Sequence, residues 1–289
     1  MKKAAVIGFP ISHSLSPILH GFLLQKYQIE GSYEAIAIEP ENLAAKLDNL
    51  LFTQNYEGLN VTIPFKEEVF KLFEARNYKI TQKAQSIGAI NTIYKENGQI
   101  IGSNSDIYGF EKNLLVNYQD KLKTNSALII GAGGAAAGAL YSLSLIFDTV
   151  YIINRNRTRA ENLVKNIRNS LNSTQKSAKI KIIDELTPEI TQNLDLLVNA
   201  TAIGMKSQGE HFIDIDLINN SCVIYDLVYN PLITEILSKA QNSGKPILTG
   251  IGMLIFQAFE GFEKWFSIKP ELNKQELEDL TQALISHIK

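Results

Sequence analysis

A glycine-rich turn between a predicted strand and a predicted helix is the most distinctive chemical feature of this sequence. Residues 128–130 are predicted to form a short buried strand, and Gly131-Ala132-Gly133-Gly134-Ala135-Ala136 follows directly. This is the Gly-x-Gly-x-x-Ala form of the dinucleotide-binding turn: the first glycine permits the tight turn, and the second lets a pyrophosphate approach the backbone. The alternative is a glycine-rich turn that merely packs in a core, but the strand–turn–helix context favours a dinucleotide.

The residues after the next predicted strand indicate which dinucleotide binds. That strand ends at Ile153, and NAD-binding sites place an acid just beyond it to hold the ribose 2′-hydroxyl. Here the chain continues Asn154-Arg155-Asn156-Arg157-Thr158-Arg159, with no acid before Glu161. Cations near a helix N-terminus oppose the helix dipole, unless a dianion binds there. We therefore predict NADP(H), with Arg155 and then Arg159 on its 2′-phosphate; solvated arginines are the alternative.

Polar residues at three junctions in the first 110 positions could form a substrate site. Ser14 and Ser16 flank a predicted helix start, where they could hold a carboxylate, although Ser16 could equally be an ordinary N-cap. Lys66 follows a predicted strand, and Asp106 ends the polar turn at 102–106. Taken alone, Lys66 could be a solvated lysine and Asp106 part of a helix cap.

The elements that would carry these residues alternate between strand and helix. In the first half we predict strands at 4–8, 33–38 and 59–63, and a hairpin turn at Asn97-Gly98 that joins 89–94 to 99–102. A connecting helix covers 105–118. Strands separated by helices indicate a mostly parallel sheet, here with the hairpin at one edge.

A second strand–helix series begins at Ser126. Its predicted strands cover residues 127–130, 150–153, 179–183, 194–199, 223–227 and 246–249. The final stretch, 253–289, is predicted to be helical with a break at Pro270. The expected fold class is α/β: an N-terminal, mostly parallel α/β substrate domain plus a Rossmann-type dinucleotide-binding domain.

Composition argues against several other classes of protein. A length of 289 residues favours two domains, and 45% hydrophobic with 20% charged residues fits a globular protein. A net charge of −2 gives no general field for nucleic acid or lipid. A single cysteine, Cys222, and four scattered histidines argue against disulfides and a metal centre. The uncharged segment 127–147 could span a bilayer, but its glycines favour a buried helix. We expect a cytoplasmic enzyme with a small-molecule substrate.

A series of motifs along nearly the whole chain resembles the shikimate dehydrogenase family. They are Ser-Leu-Ser-Pro at 14–17, Asn-Val-Thr-Ile-Pro-Phe-Lys at 60–66, Gly-Ala-Ile-Asn-Thr at 88–92, Gly-Ser-Asn-Ser-Asp at 102–106, the glycine turn, Asn154-Arg155, Asn-Ala-Thr-Ala-Ile-Gly-Met at 199–205, Tyr-Asp-Leu-Val-Tyr-Asn-Pro at 225–231, and Gly-Ile-Gly-Met-Leu-Ile-Phe-Gln at 250–257. Each motif alone is modest evidence, but their common order is highly specific. The family often has Thr where this chain has Ser105 and Asn156.

The resemblance implies NADPH-dependent reduction of 3-dehydroshikimate to shikimate, a step of aromatic amino-acid biosynthesis. Lys66 and Asp106 would be the catalytic pair, with the ammonium stabilising and protonating the carbonyl oxygen. The implied substrate contacts are Ser14 and Ser16 for the carboxylate, Thr62, Asn91, Asp106 and Gln257 for the ring hydroxyls, and Tyr229 closing the pocket. The implied NADP(H) contacts are Gly131, Ala132, Gly133, Gly134, Ala135, Asn154, Arg155, Arg159, Thr201, Gly250 (against the nicotinamide) and Met253.

The same resemblance implies the domain layout. Residues 1–106 and 253–289 would form the substrate-binding and catalytic domain, residues 107–252 would form the NADP-binding domain, and the site would lie in the cleft between them. No feature of the sequence selects between a monomer and a homodimer.

Three other interpretations remain open at this point. A quinate/shikimate dehydrogenase would accept an additional ring hydroxyl or prefer NAD, which the missing acid after Ile153 argues against. A glutamyl-tRNA reductase needs a nucleophilic cysteine, whereas Cys222 is predicted to be core. A non-catalytic NADP-binding regulator would be expected to lose Lys66 or Asp106, and both are present.

Overall fold

The structure is a computed structural model that describes residues 1–119, 121–171, 177–205 and 213–288. It divides into two compact units: one comprises Met1–Gly109 with Leu254–His287, and the other is built on Phe110–Met253. Among the described helices, none is long and apolar enough to cross a membrane.

Strands and helices alternate along most of the described chain. The strands are β1 (Lys2–Gly8), β2 (Gly31–Ala37), β3 (Gly58–Val61), β4 (Lys79–Ile80), β5 (Thr92–Glu96), β6 (Gln99–Ser103), β7 (Ser126–Ile130), β8 (Thr149–Ile153), β9 (Lys179–Ile182), β10 (Leu196–Asn199), β11 (Val223–Asp226) and β12 (Ile247–Leu248). The helices are α1 (Ser16–Lys26), α2 (Leu43–Asp48), α3 (Lys66–Ala75), α4 (Gln82–Ile87), α5 (Asp106–Tyr118), α6 (Gly134–Ile146), α7 (Arg157–Ser170), α8 (Pro188–Asn193), α9 (Glu235–Asn242), α10 (Gly250–Phe266) and α11 (Lys274–Ile285).

The sheet of the first unit has the order β2-β1-β3-β5-β6-β4. Pairs β1–β2, β1–β3 and β4–β6 are parallel, whereas β5 is antiparallel to both of its neighbours. The predicted hairpin forms, and Asn97 and Gly98 both have positive φ, as a two-residue turn of type I′ requires. Its predicted position at the edge is wrong, because β4 pairs with β6 and takes the edge. A two-residue strand is too short to produce a periodic pattern.

Apolar residues at helix and strand spacing build the core of the first unit. Leucines 43, 47, 50 and 51 lie along one side of α2 and the π-helical turn that follows, and all are buried. They pack in one cluster with Phe65 and Phe73 at the two ends of α3 and with Leu59 of β3. This packing fixes the start of α3, where Lys66 stands.

A close contact between β3 and α10 closes the other side of this sheet. The indole nitrogen of buried Trp265 donates to the Ile93 carbonyl oxygen at 2.9 Å. A Cβ on Gly58 would lie 2.1 Å from that carbonyl oxygen and 2.1 Å from the indole nitrogen. Only glycine therefore permits this approach.

We expect Gly58→Ala to destabilise the first unit by about 3 kcal/mol, because the added methyl group must displace a buried ring and its hydrogen bond. Trp265 is the single tryptophan of the chain, so its fluorescence during urea unfolding reports on this unit. Gly21→Ala is the matched control: Gly21 lies in α1 with no atom near its Cβ position, and the change should stabilise by about 0.5–1 kcal/mol. Equal midpoints for the two variants would contradict the proposed role of Gly58.

The sheet of the second unit is entirely parallel, in the order β12-β11-β10-β7-β8-β9. Renumbered within the unit, this is the doubly wound order 3-2-1-4-5-6, in which ligands bind beyond the carboxyl ends of the strands beside the central switch point. All six predicted strands form, with boundaries shifted by one or two residues. The predicted buried position of the uncharged segment is also confirmed, since most of α6 is inaccessible to solvent.

Candidate active site

Lys66 and Asp106 are in direct contact in the first unit. Lys66 is the first residue of α3 and Asp106 the first residue of α5, and the ammonium nitrogen lies 2.6 Å from Oδ2 of the carboxylate. Their side chains are 15% and 7% exposed. An ammonium group has three N–H donors. Lys66 can therefore keep its bond to Asp106 and still donate to a ligand oxygen.

An amide holds the second oxygen of this carboxylate. Nδ2 of Asn91 donates to Oδ1 of Asp106 at 2.8 Å, and both residues are buried. Oδ1 of Asn91 accepts from the backbone N–H of Ser105 at 2.8 Å. The hydroxyl of Ser105 also donates to Oε1 of Gln257 in α10, at 3.3 Å. Hydrogen bonds thus connect the four assigned residues Lys66, Asp106, Asn91 and Gln257 through Ser105 in one network, in which Lys66 has the most exposed side chain.

The two serines near α1 have different surroundings. Oγ of Ser14 accepts from the backbone N–H of Ser16 at 3.3 Å. The interpretation of Ser16 as an N-cap is wrong: the cap position is Leu15, which has helical φ and ψ angles and makes no side-chain cap bond. Ser16 lies one position inside the helix and is buried. Thr62 directly follows β3 and is half-buried.

A buried polar layer that the sequence analysis did not identify lies behind Asn91. The hydroxyl of Tyr33 donates to Oδ1 of Asn60 at 2.6 Å, and Nδ2 of Asn60 donates to the Asn91 carbonyl oxygen at 3.2 Å. The ring of Tyr33 stacks on His20, with the ring centroids 3.8 Å apart. Tyr33 reaches across β1 because its partner there in the sheet is the small Ala4.

The buried imidazole of His20 makes the first unit sensitive to acid. Burial lowers its pKa from 6.5 to about 3. Below pH 6.5 the unfolded chain therefore binds a proton that the folded chain does not, so His20 contributes a loss of stability as the pH falls from 6.5 towards 3. His20→Phe, which keeps an aromatic ring beside Tyr33, should reduce the fall in Trp265 unfolding midpoint between pH 7 and pH 5. The same substitution at exposed His13 should leave that fall unchanged, and equal pH profiles for all three proteins would contradict this role of His20.

The glycine turn of the second unit has the geometry that a pyrophosphate needs. Gly131 follows β7 with φ +111°, and a Cβ there would lie 3.0 Å from the Ala200 carbonyl oxygen. Gly133 is the N-cap of α6, and apart from its own chain neighbours and helix no protein atom lies within 4 Å of its Cβ position. Buried Ala136 lets the helix pack close to the sheet. The first turn of α6 thus offers backbone N–H groups and open space to an anion.

The three arginines after β8 are not equivalent. Arg157 donates to Asp184 at 2.6 Å and to Glu161 at 3.1 Å, so these acids account for its position at the start of α7. The side chain of Asn156 caps this helix by accepting from the Arg159 N–H at 3.0 Å. Arg155, in the loop before the helix, and Arg159, in the first turn of α7, are both exposed. Nδ2 of Asn154 donates a hydrogen bond to the Asn156 carbonyl oxygen at 2.7 Å.

The remaining residues assigned by resemblance lie in loops at the carboxyl ends of the second sheet or at the start of α10. Thr201 follows β10, and Tyr229 follows β11. Gly250 begins α10, where a Cβ would lie 2.3 Å from the Leu227 carbonyl oxygen, so packing alone requires this glycine. Met253 is buried.

Cys222 does not have the surroundings of a nucleophile. Cys222 is fully buried, and burial raises its pKa to about 12, which confirms it as a core residue rather than a nucleophile. In the same ranges, no cluster of three or more His, Cys, Asp or Glu side chains could hold a metal ion.

A 3-2-1-4-5-6 parallel sheet with an open glycine turn defines a dinucleotide-binding α/β protein. Comparisons with known proteins identify one family within this class. The sequence model described as "Shikimate dehydrogenase substrate binding domain" matches residues 6–93, and "Shikimate / quinate 5-dehydrogenase" matches residues 113–207. A shikimate dehydrogenase (NADP(+)) from Brucella abortus (strain S19) is 38% identical, over 99% of this chain and 93% of the relative.

Solved structures agree with these matches. A crystal structure of shikimate dehydrogenase in complex with NADP+ gives a TM-score of 0.86 at 32% identity, covering 100% of this chain and 96% of that one. The enzyme from Thermus thermophilus, solved with NADP(H) and shikimate, gives 0.82 at 29% identity, covering 99% and 100%. The chain belongs to the shikimate dehydrogenase family.

Proposed function

We propose that this protein catalyses the reversible, NADPH-dependent reduction of 3-dehydroshikimate to shikimate, with Lys66 and Asp106 as the catalytic pair. The observation that carries the assignment of residues is the 2.6 Å contact between the Lys66 ammonium and the Asp106 carboxylate. Two side chains 40 positions apart meet there at the starts of two helices. Family membership supports the reaction, and this contact supports the roles.

The chemistry follows from the charge that develops on the substrate. Bound NADPH supplies the hydride for the ketone carbon. Lys66 donates a hydrogen bond to the ketone oxygen, stabilises the negative charge that forms on it, and gives it a proton. Asp106 holds the ammonium in place and keeps its own position through Asn91. In the oxidation of shikimate, Lys66 takes the hydroxyl proton back.

The neighbouring residues bind and orient the substrate. Ser14 and Ser16 bind its carboxylate at the start of α1, where the N-terminal end of the helix also favours an anion. Thr62, Asn91, Asp106 and Gln257 hold the ring hydroxyls, and Tyr229 closes the pocket. Asn91 and Gln257 already share the Ser105 hydroxyl between them, which supports a common role.

The second unit binds the cofactor. The pyrophosphate rests on the backbone of Gly131, Ala132, Gly133, Gly134 and Ala135, and the open space beside Gly133 supports this placement. Arg155 and Arg159 clamp the 2′-phosphate, with Asn154 fixing the loop between them. Thr201, Gly250 and Met253 complete the site around the nicotinamide end.

Oxidation of quinate is the second candidate activity, since one matching family model covers both substrates. Initial rates with shikimate and quinate, each with NADP+ and with NAD+ at alkaline pH, test the proposal. We expect the highest kcat/KM for shikimate with NADP+. No reduction of NADP+ with shikimate would overturn the proposed function, and a higher value for quinate or for NAD+ would transfer it to the second candidate. A cytoplasmic location and a monomeric or homodimeric state remain predictions.

A further inference from the structure

A buried aspartate links two loops of the second unit: residues 200–204, which follow β10, and residues 227–234, which follow β11. Asn199 and Asp226 are the last residues of these strands, lie opposite each other in the sheet, and are both fully buried. Nδ2 of Asn199 donates to Oδ1 of Asp226 at 2.8 Å. The mechanism proposed above uses neither side chain.

Asn199 fixes the first of these loops. Its Nδ2 also donates to the Ile203 carbonyl oxygen at 3.0 Å, and its Oδ1 accepts from the Thr201 hydroxyl at 2.7 Å and the Thr201 N–H at 3.1 Å. The Thr201 hydroxyl in turn accepts from the Ile203 N–H at 3.1 Å. The hydroxyl of Thr201 is therefore occupied by the loop itself, and residues 201–203 are held against the end of β10.

Asp226 fixes the second loop. Its Oδ1 accepts from the Val228 N–H at 3.0 Å, and its Oδ2 accepts from the hydroxyl of buried Thr234 at 2.5 Å. Thr234 precedes α9 and closes the segment that contains Tyr229. Gly204, with φ +101°, brings the first loop against the second, since its Cβ position lies 3.2 Å from Cβ of Thr234.

Burying the carboxylate of Asp226 between two loops lowers the stability of the fold. Every partner described for Asp226 is neutral, and burial raises its pKa to about 6 despite three hydrogen bonds that act in the opposite direction. Apolar residues would close the same space at no such cost to stability. The value of the carboxylate therefore lies in the fixed arrangement that it imposes.

We propose that Asp226, through Asn199 and Thr234, is a positioning residue that holds the loops carrying Thr201 and Tyr229 in the arrangement that receives NADP(H). The inference rests on the proposed function, because it assigns these loops to the cofactor and the substrate. They follow neighbouring strands on the side of the switch point where a dinucleotide binds. Because these loops are already ordered before the cofactor binds, less binding free energy is lost in ordering them, and the affinity for NADP(H) is higher.

Thr234→Val tests this proposal, because it removes one donor to Asp226 while keeping the volume of the side chain. The matched control is Thr191→Val in α8: Thr191 is also buried in the second unit, but its hydroxyl donates at 3.2 Å to the Pro188 carbonyl oxygen, away from both loops. The Kd of NADP+ is measured by fluorescence titration of the free protein, together with kcat, both KM values and the melting temperature.

We expect both variants to melt at a lower temperature, and only Thr234→Val to raise the Kd of NADP+, by about tenfold, as for loss of a hydrogen bond to a charged group. Thr234→Ser should restore the affinity. Unchanged Kd and KM values in Thr234→Val, or equal changes in the two valine variants, would show a structural role only and overturn the proposal. If the wild-type protein itself failed to bind NADP+, the proposed function would fall as well.

Discussion

Lys66→Met is expected to lower kcat for shikimate oxidation by about 10²–10⁴-fold, because it removes the group that exchanges a proton with the reacting oxygen. Methionine keeps an unbranched side chain of similar length beside Asp106, so the first unit should still fold. NADP+ affinity should barely change, since the predicted cofactor contacts all belong to the second unit and Lys66 belongs to the first. Initial rates at saturating concentrations of shikimate and NADP+ give kcat, and fluorescence titration gives the Kd of NADP+.

Lys71→Met is the matched control for this experiment. Lys71 lies on the same helix, α3, but its side chain is exposed to solvent. Its replacement should leave kcat within a factor of about two, as expected for a surface change. A near-normal kcat in Lys66→Met would remove Lys66 from the catalytic role, whereas an equal loss in both variants would point to damage to the helix.

Arg155→Ala is expected to weaken NADPH binding by about 10–100-fold while NADH binding changes little. The reason is that a charge-assisted hydrogen bond to a phosphate contributes about 1.5–3 kcal/mol, and only NADPH carries the 2′-phosphate. Fluorescence titration with each reduced cofactor measures the ratio of the two Kd values, which is the quantity that should change.

Arg157→Ala provides the comparison for Arg155. Arg157 is equally part of the arginine run, but Asp184 and Glu161 bind its guanidinium, so its loss should leave the ratio of NADPH to NADH affinity as in the wild type. Equal weakening of both cofactors by Arg155→Ala would refute the assignment of Arg155 to the 2′-phosphate. A changed ratio in Arg157→Ala would move that assignment to Arg157.

The sequence was sufficient to predict the elements that have a distinct local pattern of residues. The six strands of the second unit and the glycine turn after β7 were predicted because buried parallel strands give short apolar runs and the turn needs glycine at defined positions. Positions that depend on pairing were not predictable. β4 occupies the edge of the first sheet through only two residues, and no local pattern distinguishes such a strand from a turn.

The candidate site shows the same division. Motifs identified Lys66, Asn91 and Asp106 by resemblance, but the contacts among them depend on how three separate segments pack, which no single segment encodes. The sequence could not decide whether Ser16 is the N-cap, because the cap position depends on backbone angles. In the structure the N-cap is Leu15, one residue earlier, and its φ and ψ angles are helical. Tyr33 was missed because its partner Asn60 lies two strands away. The small Ala4 on the strand between them was the available signal.

The division of the first unit into two stretches of chain has a consequence for synthesis. Its sheet is built from Met1–Gly109, but Trp265 and Phe266, which lie against Gly58 of β3 and Gly31 of β2, belong to the returning segment Leu254–His287. A nascent chain therefore exposes the apolar surface of these strands until residues 254–287 have been synthesised, while the second unit, which precedes that segment, can fold beforehand. Residues 1–109 thus precede the second unit along the chain but complete their own folding unit after it.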